Sequence, residues 1–253
     1  MVMYRLKHFK KGVKKMDRYE KYARVYPAIV AMVIPGIFMV LVFWDVLPFV
    51  KDAEGYLLKM LEGIIVPVLL FSAIGYFLRN LFRWTSKVIF QIPLFRDDEA
   101  YMPTTNYLFW NNDFFTADKK KNIYSKILNK YQINIKEGKV KKKDELAVRK
   151  NIAQAVRLIR LDYRKTENND PIVLDYNIQY GMFRNFLGGS IYSCLLIVAT
   201  TILNVIYSFT DRWTPLIILI IVQVLLIVAS IIFQRKAASD YAKYLIDYFD
   251  LKM

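Results

Sequence analysis

Apolar and polar stretches alternate along the chain and divide it more sharply than any motif does. Four apolar runs, at residues 27–44, 63–78, 186–209 and 213–233, stand between segments rich in charge. A helix crosses a hydrocarbon core about 30 Å thick with roughly 20 residues, so each run predicts a membrane span. The second is the shortest. It reaches full length only if Arg79 and Arg83 extend their charged ends to the headgroups while Leu81 and Phe82 enter the interface.

Outside these runs the apolar residues recur at helical spacing. Behind Thr116, a fitting N-cap with Asp118 in the first turn, Ile123, Ile127, Leu128 and Tyr131 predict a short helix. The run KEGKVKKKDE reads as a turn. A longer helix follows over 144–164, with Leu146, Ile152, Val156, Ile159 and Tyr163 on its buried side. Asp170 and Pro171 form a capping pair, because the carboxylate accepts a backbone N–H bond and proline suits the first helical position. The helix they open leads through YNIQYGMFRNF into the third span, where Gly181, Gly188 and Gly189 predict a kink. In the connector SKVIFQIPLFRDDEAYMPTTNYLFWNND, Pro93 and Pro103 break regular structure and the apolar residues predict packing. After the fourth span, Tyr241, Tyr244, Leu245, Tyr248 and Phe249 share a helical face, predicting a continued helix that docks on the loop domain or a neighbouring subunit.

The expected fold class is an all-α integral membrane protein: two transmembrane helical hairpins with a mainly helical cytoplasmic domain inserted between spans 2 and 3. Its expected divisions are a basic N-terminal segment (1–26), a first hairpin (27–84), the cytoplasmic domain (85–185), a second hairpin (186–234) and a C-terminal helix (235–253).

Composition agrees, with 55% hydrophobic residues in a 253-residue chain and a mean hydropathy of +0.22. The net charge of +15 has an informative distribution. Of the 37 lysines and arginines, nine precede the first span, two follow it, 21 lie between Arg79 and Arg184, one separates spans 3 and 4, and four end the chain. Basic residues concentrate on the cytoplasmic side of membrane proteins, which predicts cytoplasmic N and C termini and explains the charge without nucleic acid. Trp44, Trp84 and Trp213 mark span ends, where aromatic belts lie. The N-terminal stretch interleaves basic residues with Tyr4, Leu6, Phe9, Val13, Met16 and Tyr19, fitting either an amphipathic helix on an anionic leaflet or a basic tail that sets topology. The first apolar run lacks a small-x-small cleavage site and reads as an uncleaved anchor. The single Cys194 lies in the third span and excludes an intrachain disulfide or a cysteine zinc site.

Two constellations carry possible chemistry. In the third span Gly189, Ser193, Thr200 and Asn204 fall within about 60° of one another at 100° per residue. This small, polar stripe fits a helix-packing seam, or the lining of a conduction path in an oligomer. Gln223 in the fourth span can hydrogen-bond the same seam or a symmetry mate. On the 144–164 helix, Arg149, Arg157, Arg160 and Arg164 share one broad side. Guanidinium groups bind phosphate and carboxylate bidentately, so a nucleotide second messenger, an acidic protein partner, anionic lipid headgroups and a merely solvated face all fit.

Catalytic signatures are missing. The only histidine, His8, sits in the basic tail, and the acidic run Asp97, Asp98, Glu99 reads as a solvated turn. No Walker loop or dinucleotide fingerprint appears, and Asp45 and Asp211 stand at span ends rather than inside, where proton-relay carboxylates occur. No catalytic residue, metal or cofactor is expected.

The layout of two span hairpins around a long cytoplasmic helical segment resembles, by architecture, the four-span membrane effectors of bacterial nucleotide-signalling (anti-phage) defence systems, with a bacterial inner (plasma) membrane as the expected location, and the phrases PLFRDDEAYMPTTNYLFW and QYGMFRNFLGG look like signatures of small bacterial membrane proteins. That resemblance implies a homo-oligomer whose cytoplasmic part senses a signal and whose spans then perturb the membrane. The expected function is a non-enzymatic, cytoplasmically gated membrane effector or channel. The alternative is a membrane anchor or scaffold that recruits a soluble partner through its loop domain and C-terminal helix.

Overall fold

The computed structural model describes residues 18–44, 65–96, 98–165 and 170–252, and among these every regular element is helical. Helix α1 spans Arg18–Phe43 and contains a π-helical stretch, Lys21–Val25. Helix α2 (Ile65–Ser86) runs into a second π-helical stretch, Lys87–Gln91, and a single turn at Ile92–Leu94. A 3₁₀ turn at Asp98–Ala100 precedes α3 (Pro103–Leu108), α4 (Ala117–Tyr131) and α5 (Glu145–Lys165). Two long helices close the chain, α6 (Pro171–Tyr207) and α7 (Trp213–Lys252). Three helices, α1, α6 and α7, are long and apolar enough to cross a membrane. Helix α2 stands where the second span is expected. The basic stretch before Arg18, the connection after the first span and Asp97 lie outside the described residues.

The chain forms two compact units, Met1–Phe90 with Gly181–Ile232, and Gln91–Tyr180 with Phe233–Met253. Helices α6 and α7 each contribute to both.

In the first unit, an apolar cluster of Ile34, Phe38 and Val42 from α1 meets Ile197 of α6 and Leu216 of α7. At the other end of these helices the glycines of α6 allow close approach. A Cβ on Gly188 would stand 1.8 Å from the Phe82 carbonyl oxygen of α2, and one on Gly189 would stand 2.7 Å from the Ala31 Cβ of α1. Helix α6 runs through the three glycines without a break in its helical assignment, and their missing side chains make room for two neighbours. Polar bonds fix the crossing. Thr85 and Tyr192 share a 2.7 Å hydrogen bond, Ser86 Oγ donates to the Arg184 carbonyl, and Phe82 stacks on Tyr192 at 5.3 Å. The Asn185 amide donates to the Ala23 carbonyl at 2.5 Å. Ala23 sits in the π-helical stretch, where i→i+5 bonding shifts the ordinary ladder.

The second unit has an aromatic core. Its members include Leu108, Phe109, Ile123, Tyr124 and Ile127 from α3, α4 and the segment joining them. Ile152, Val156, Ile159 and Tyr163 join them from α5, with Tyr241, Leu245, Ile246, Tyr248 and Phe249 from the end of α7. The tail docks by rings: Tyr131 stacks on Phe249 at 6.1 Å, Tyr163 meets Tyr248 edge-on at 5.1 Å, and Tyr176 stacks on Tyr244 at 4.6 Å. Tyr244 itself stays 39% exposed, so it covers the rim rather than entering the core. Asp247 pairs with Lys119 and Asp250 with Lys126, holding the tail against α4.

Both caps form. Thr116 Oγ1 accepts from the Lys119 N–H at 3.3 Å, and Asp170 Oδ1 accepts from the Ile172 N–H at 2.9 Å with Pro171 opening the helix. One position departs from the expected pattern on α5. Leu146 is 42% exposed, while Val148 and Arg149 are buried. At 100° per residue Leu146 falls well off the stripe of Ile152, Val156 and Ile159, and Val148 falls on its edge.

Candidate functional site

The residues of the α6 stripe are all buried within the first unit: Gly189, Ser193, Thr200 and Asn204. Each has a different surrounding. Gly189 is the contact point with Ala31 and the Phe82 ring. Asn204 closes the turn between α6 and α7. Its side-chain N–H donates to the Thr210 carbonyl at 3.1 Å, and its Oδ1 accepts from the Thr210 N–H at 2.9 Å. The Asn204 carbonyl accepts from the Ser208 N–H at 2.8 Å. Ser208 takes a left-handed conformation with φ of 50°, so the asparagine ties down a strained reversal. An amide engaged in this way has little capacity left for a passing ion.

Ser193 and Gln223 differ. Among the described residues the Ser193 hydroxyl and the Gln223 side-chain N–H₂ are buried without a hydrogen-bond partner, and Gln223 is only 2% exposed. Beside Gln223 lies an apolar cleft of about 280 Å³ lined by Cys194, Ile197, Val198, Thr201, Ile220 and Val224. An unpaired buried donor costs about 1–3 kcal/mol, so this seam holds polar groups that the described residues leave unsatisfied. In α7 only 17% of the apolar window is buried, leaving most of that window facing outward.

The α5 arginines separate into two groups. Arg149, 7% exposed, bonds Glu145 at 2.7 Å and lies over the rings of Tyr101 and Phe109 at 4.6 and 4.1 Å. Arg160 reaches Thr104 Oγ1 at 3.4 Å. Arg157 and Arg164 are exposed. Arg149 and Arg160 border the buried stripe and meet the 98–109 segment, whereas Arg157 and Arg164 are rotated away by about 60–80°. The four do not converge on one ligand.

Two features of this unit escaped the sequence pattern. Lys120 is 2% exposed, and its ammonium donates to the carbonyls of Phe109 at 3.1 Å, Trp110 at 3.3 Å and Asn112. Burial lowers its pKa, against the opposing charge of Asp113. The available signal was its phase, since Lys120 falls on the same face as Ile123 and Ile127. It borders a polar cleft of about 420 Å³ with Asn111, Asp113 and Lys139, yet its three N–H bonds are spent on holding the loop. Asp162 accepts from Tyr131 at 2.8 Å and pairs with Lys130 at 3.2 Å. Burial alone raises its pKa, and these two bonds outweigh that and hold the carboxyl below its usual range. Among the described residues no group of histidine, cysteine and carboxylate side chains is placed to hold a metal.

These features define a class: a helical membrane-associated protein with an apolar helix assembly and a compact aromatic unit. Beyond the class, no protein family, no curated protein and no solved structure matches the chain.

Proposed function

We propose that the chain is a four-span protein of a bacterial inner membrane, with both termini and the aromatic unit in the cytoplasm, and that it acts as a non-enzymatic oligomeric effector gated from that side. Helix α2 serves as the second span: 22 residues extend about 33 Å at 1.5 Å per residue. The observation that carries the oligomeric part is Gln223, whose buried side-chain N–H₂ has no partner among the described residues, beside an apolar cleft on the helix whose apolar window is the least buried of the three long ones. A second copy would satisfy the amide, as polar side chains do between membrane helices. Any permeation path then lies between copies at Gln223 rather than along the packed Gly189–Asn204 stripe. The trigger acts on the cytoplasmic unit, with Arg157 and Arg164 as its exposed guanidinium groups. The link to anti-phage defence rests on the likeness of layout alone.

Replacing Gln223 by Leu tests this. In native lipid particles the variant should fall to a smaller assembly while remaining inserted. An unchanged particle mass would remove Gln223 from the assembly contact.

The anchor or scaffold reading is favoured by one observation, the closed hydrogen-bonding of Asn204, which makes the stripe a structural seam. In that case the membrane stays impermeable under all conditions, and a soluble protein co-purifies through the aromatic unit.

A further inference from the structure

Gln223 stands midway along the apolar run 213–233 of α7. Its side-chain N–H₂ is buried and, among the described residues, meets no acceptor. The polar side chains near it spend their hydrogen bonds inside the chain. Asn204 closes on Thr210, and Thr201, which lines the same cleft as Gln223, donates to the Ile197 carbonyl one turn back at 2.8 Å. A hydroxyl in a helix can turn back to its own backbone in this way. The longer glutamine amide does not.

Few acceptors exist at this depth. The middle of a span lies about 15 Å from either headgroup layer, half the thickness of the hydrocarbon core, and lipid tails carry no acceptor. An acyl chain seated in the cleft would leave the N–H₂ unpaired, and a buried donor without a partner is costly. Copies of one chain inserted in one orientation, by contrast, carry each residue at the same depth. Arranged about an axis normal to the membrane, they bring identical residues to one level. A glutamine amide is its own complement there, since it holds both N–H donors and an acceptor oxygen. The route between copies is the cleft between α6 and α7, whose lining residues Val198, Ile202 and Val224 are more than half exposed. Rotation about the side-chain torsions of Gln223 turns its amide from the seam into that cleft.

We propose that the contact between copies is self-complementary: the Gln223 N–H₂ of each copy donates to the Gln223 side-chain oxygen of the next around a closed assembly, two copies being the smallest. The inference rests on the oligomeric, membrane-spanning reading above and adds the identity of the acceptor. Its consequence is that a copy lacking the amide spoils the contact for a wild-type neighbour as well as for itself.

The test co-expresses two differently tagged full-length chains, transfers them to native lipid particles, captures one tag and quantifies the other. Wild type should capture wild type. A mixed pair of wild type and Q223L should fall about fivefold or more, as far as a pair of two Q223L chains, because a lone amide has no counterpart. Mixed capture midway between the two uniform pairs would mean that Gln223 meets a different residue of its neighbour, and would overturn the proposal. A second measurement keeps Gln223 intact and locates the face. I220C in a C194S background places the only cysteine at the cleft and should join copies under mild oxidation. L225C in the same background, turned about 160° from Gln223, should not. Joining through L225C with none through I220C would also overturn the proposal, while leaving the oligomeric reading in place. Absence of capture between wild-type chains would instead overturn the oligomeric reading itself.

Discussion

The two units solve the same problem, burying polar groups, by opposite means. In the unit built from α1, α2 and the apolar stretches of α6 and α7, Thr85, Ser86 and Asn185 bond to a backbone carbonyl or another side chain at helix crossings, and glycine supplies the closeness. In the aromatic unit, lysines, aspartates and tyrosines form clasps over a large ring-filled core, and closeness matters less than ring packing. The difference teaches where each unit is fragile. The first tolerates loss of a charge better than gain of a methyl group at a crossing; the second tolerates small surface changes but not loss of an anchor ring.

The sharpest break in the aromatic unit is Phe249→Ala. Phe249 is fully buried and stacks on Tyr131 of α4, and such truncations cost about 3–5 kcal/mol. Hydrogen exchange on the full chain should show the C-terminal turns of α7 and the face of α4 losing protection together. In the first unit the matching change is Gly188→Ala. Its Cβ would collide with the Phe82 carbonyl, and backbone cannot swing aside as a side chain does. A cost of about 3 kcal/mol should appear as a drop in the denaturation midpoint, whereas Gly36→Ala, which meets nothing within 4 Å, should be neutral or slightly stabilising.

A smaller effect separates seam from pore. Asn204→Leu strands the Thr210 N–H and carbonyl, for about 1–3 kcal/mol, and should lower thermal stability without changing ion selectivity. A selectivity change would place Asn204 in a conduction path. The smallest effect is pH-dependent. The folded pKa of Asp162 is depressed, so its contribution is fully present above the unfolded value of about 3.9. It is lost as pH falls through the lower folded value. Acid titration of D162N should show a shallower loss of stability below about pH 4 than the wild type.

Much of this was legible because local rules suffice for it. The apolar runs, the Thr116 and Asp170 caps, the stripe of α5 and the aromatic face after Tyr241 follow from periodicity and cap chemistry. What was not legible depends on meetings between distant residues. Helical phase sets Arg149 beside the buried stripe and Arg157 away from it, but nothing local tells that Tyr101 and Phe109 cover Arg149. Asn204 reads as a span-facing polar group until the turn at Ser208 brings Thr210 back onto it. The π-helical stretches have no composition cue. The close approach that Gly188 permits is not legible either, because the Phe82 carbonyl it meets lies more than a hundred residues away.

The central claim is that copies of this chain assemble in the membrane through the Gln223 seam to form a gated effector. The most direct measurement is the particle mass of the full chain in native lipid particles, by mass photometry, paired with ion flux from the same preparation in vesicles. The account predicts a closed assembly of several copies whose mass and triggered flux both fall in Gln223→Leu. A monomer under every condition, with an ion-tight membrane, would contradict it, because four packed helices enclose no aqueous pore.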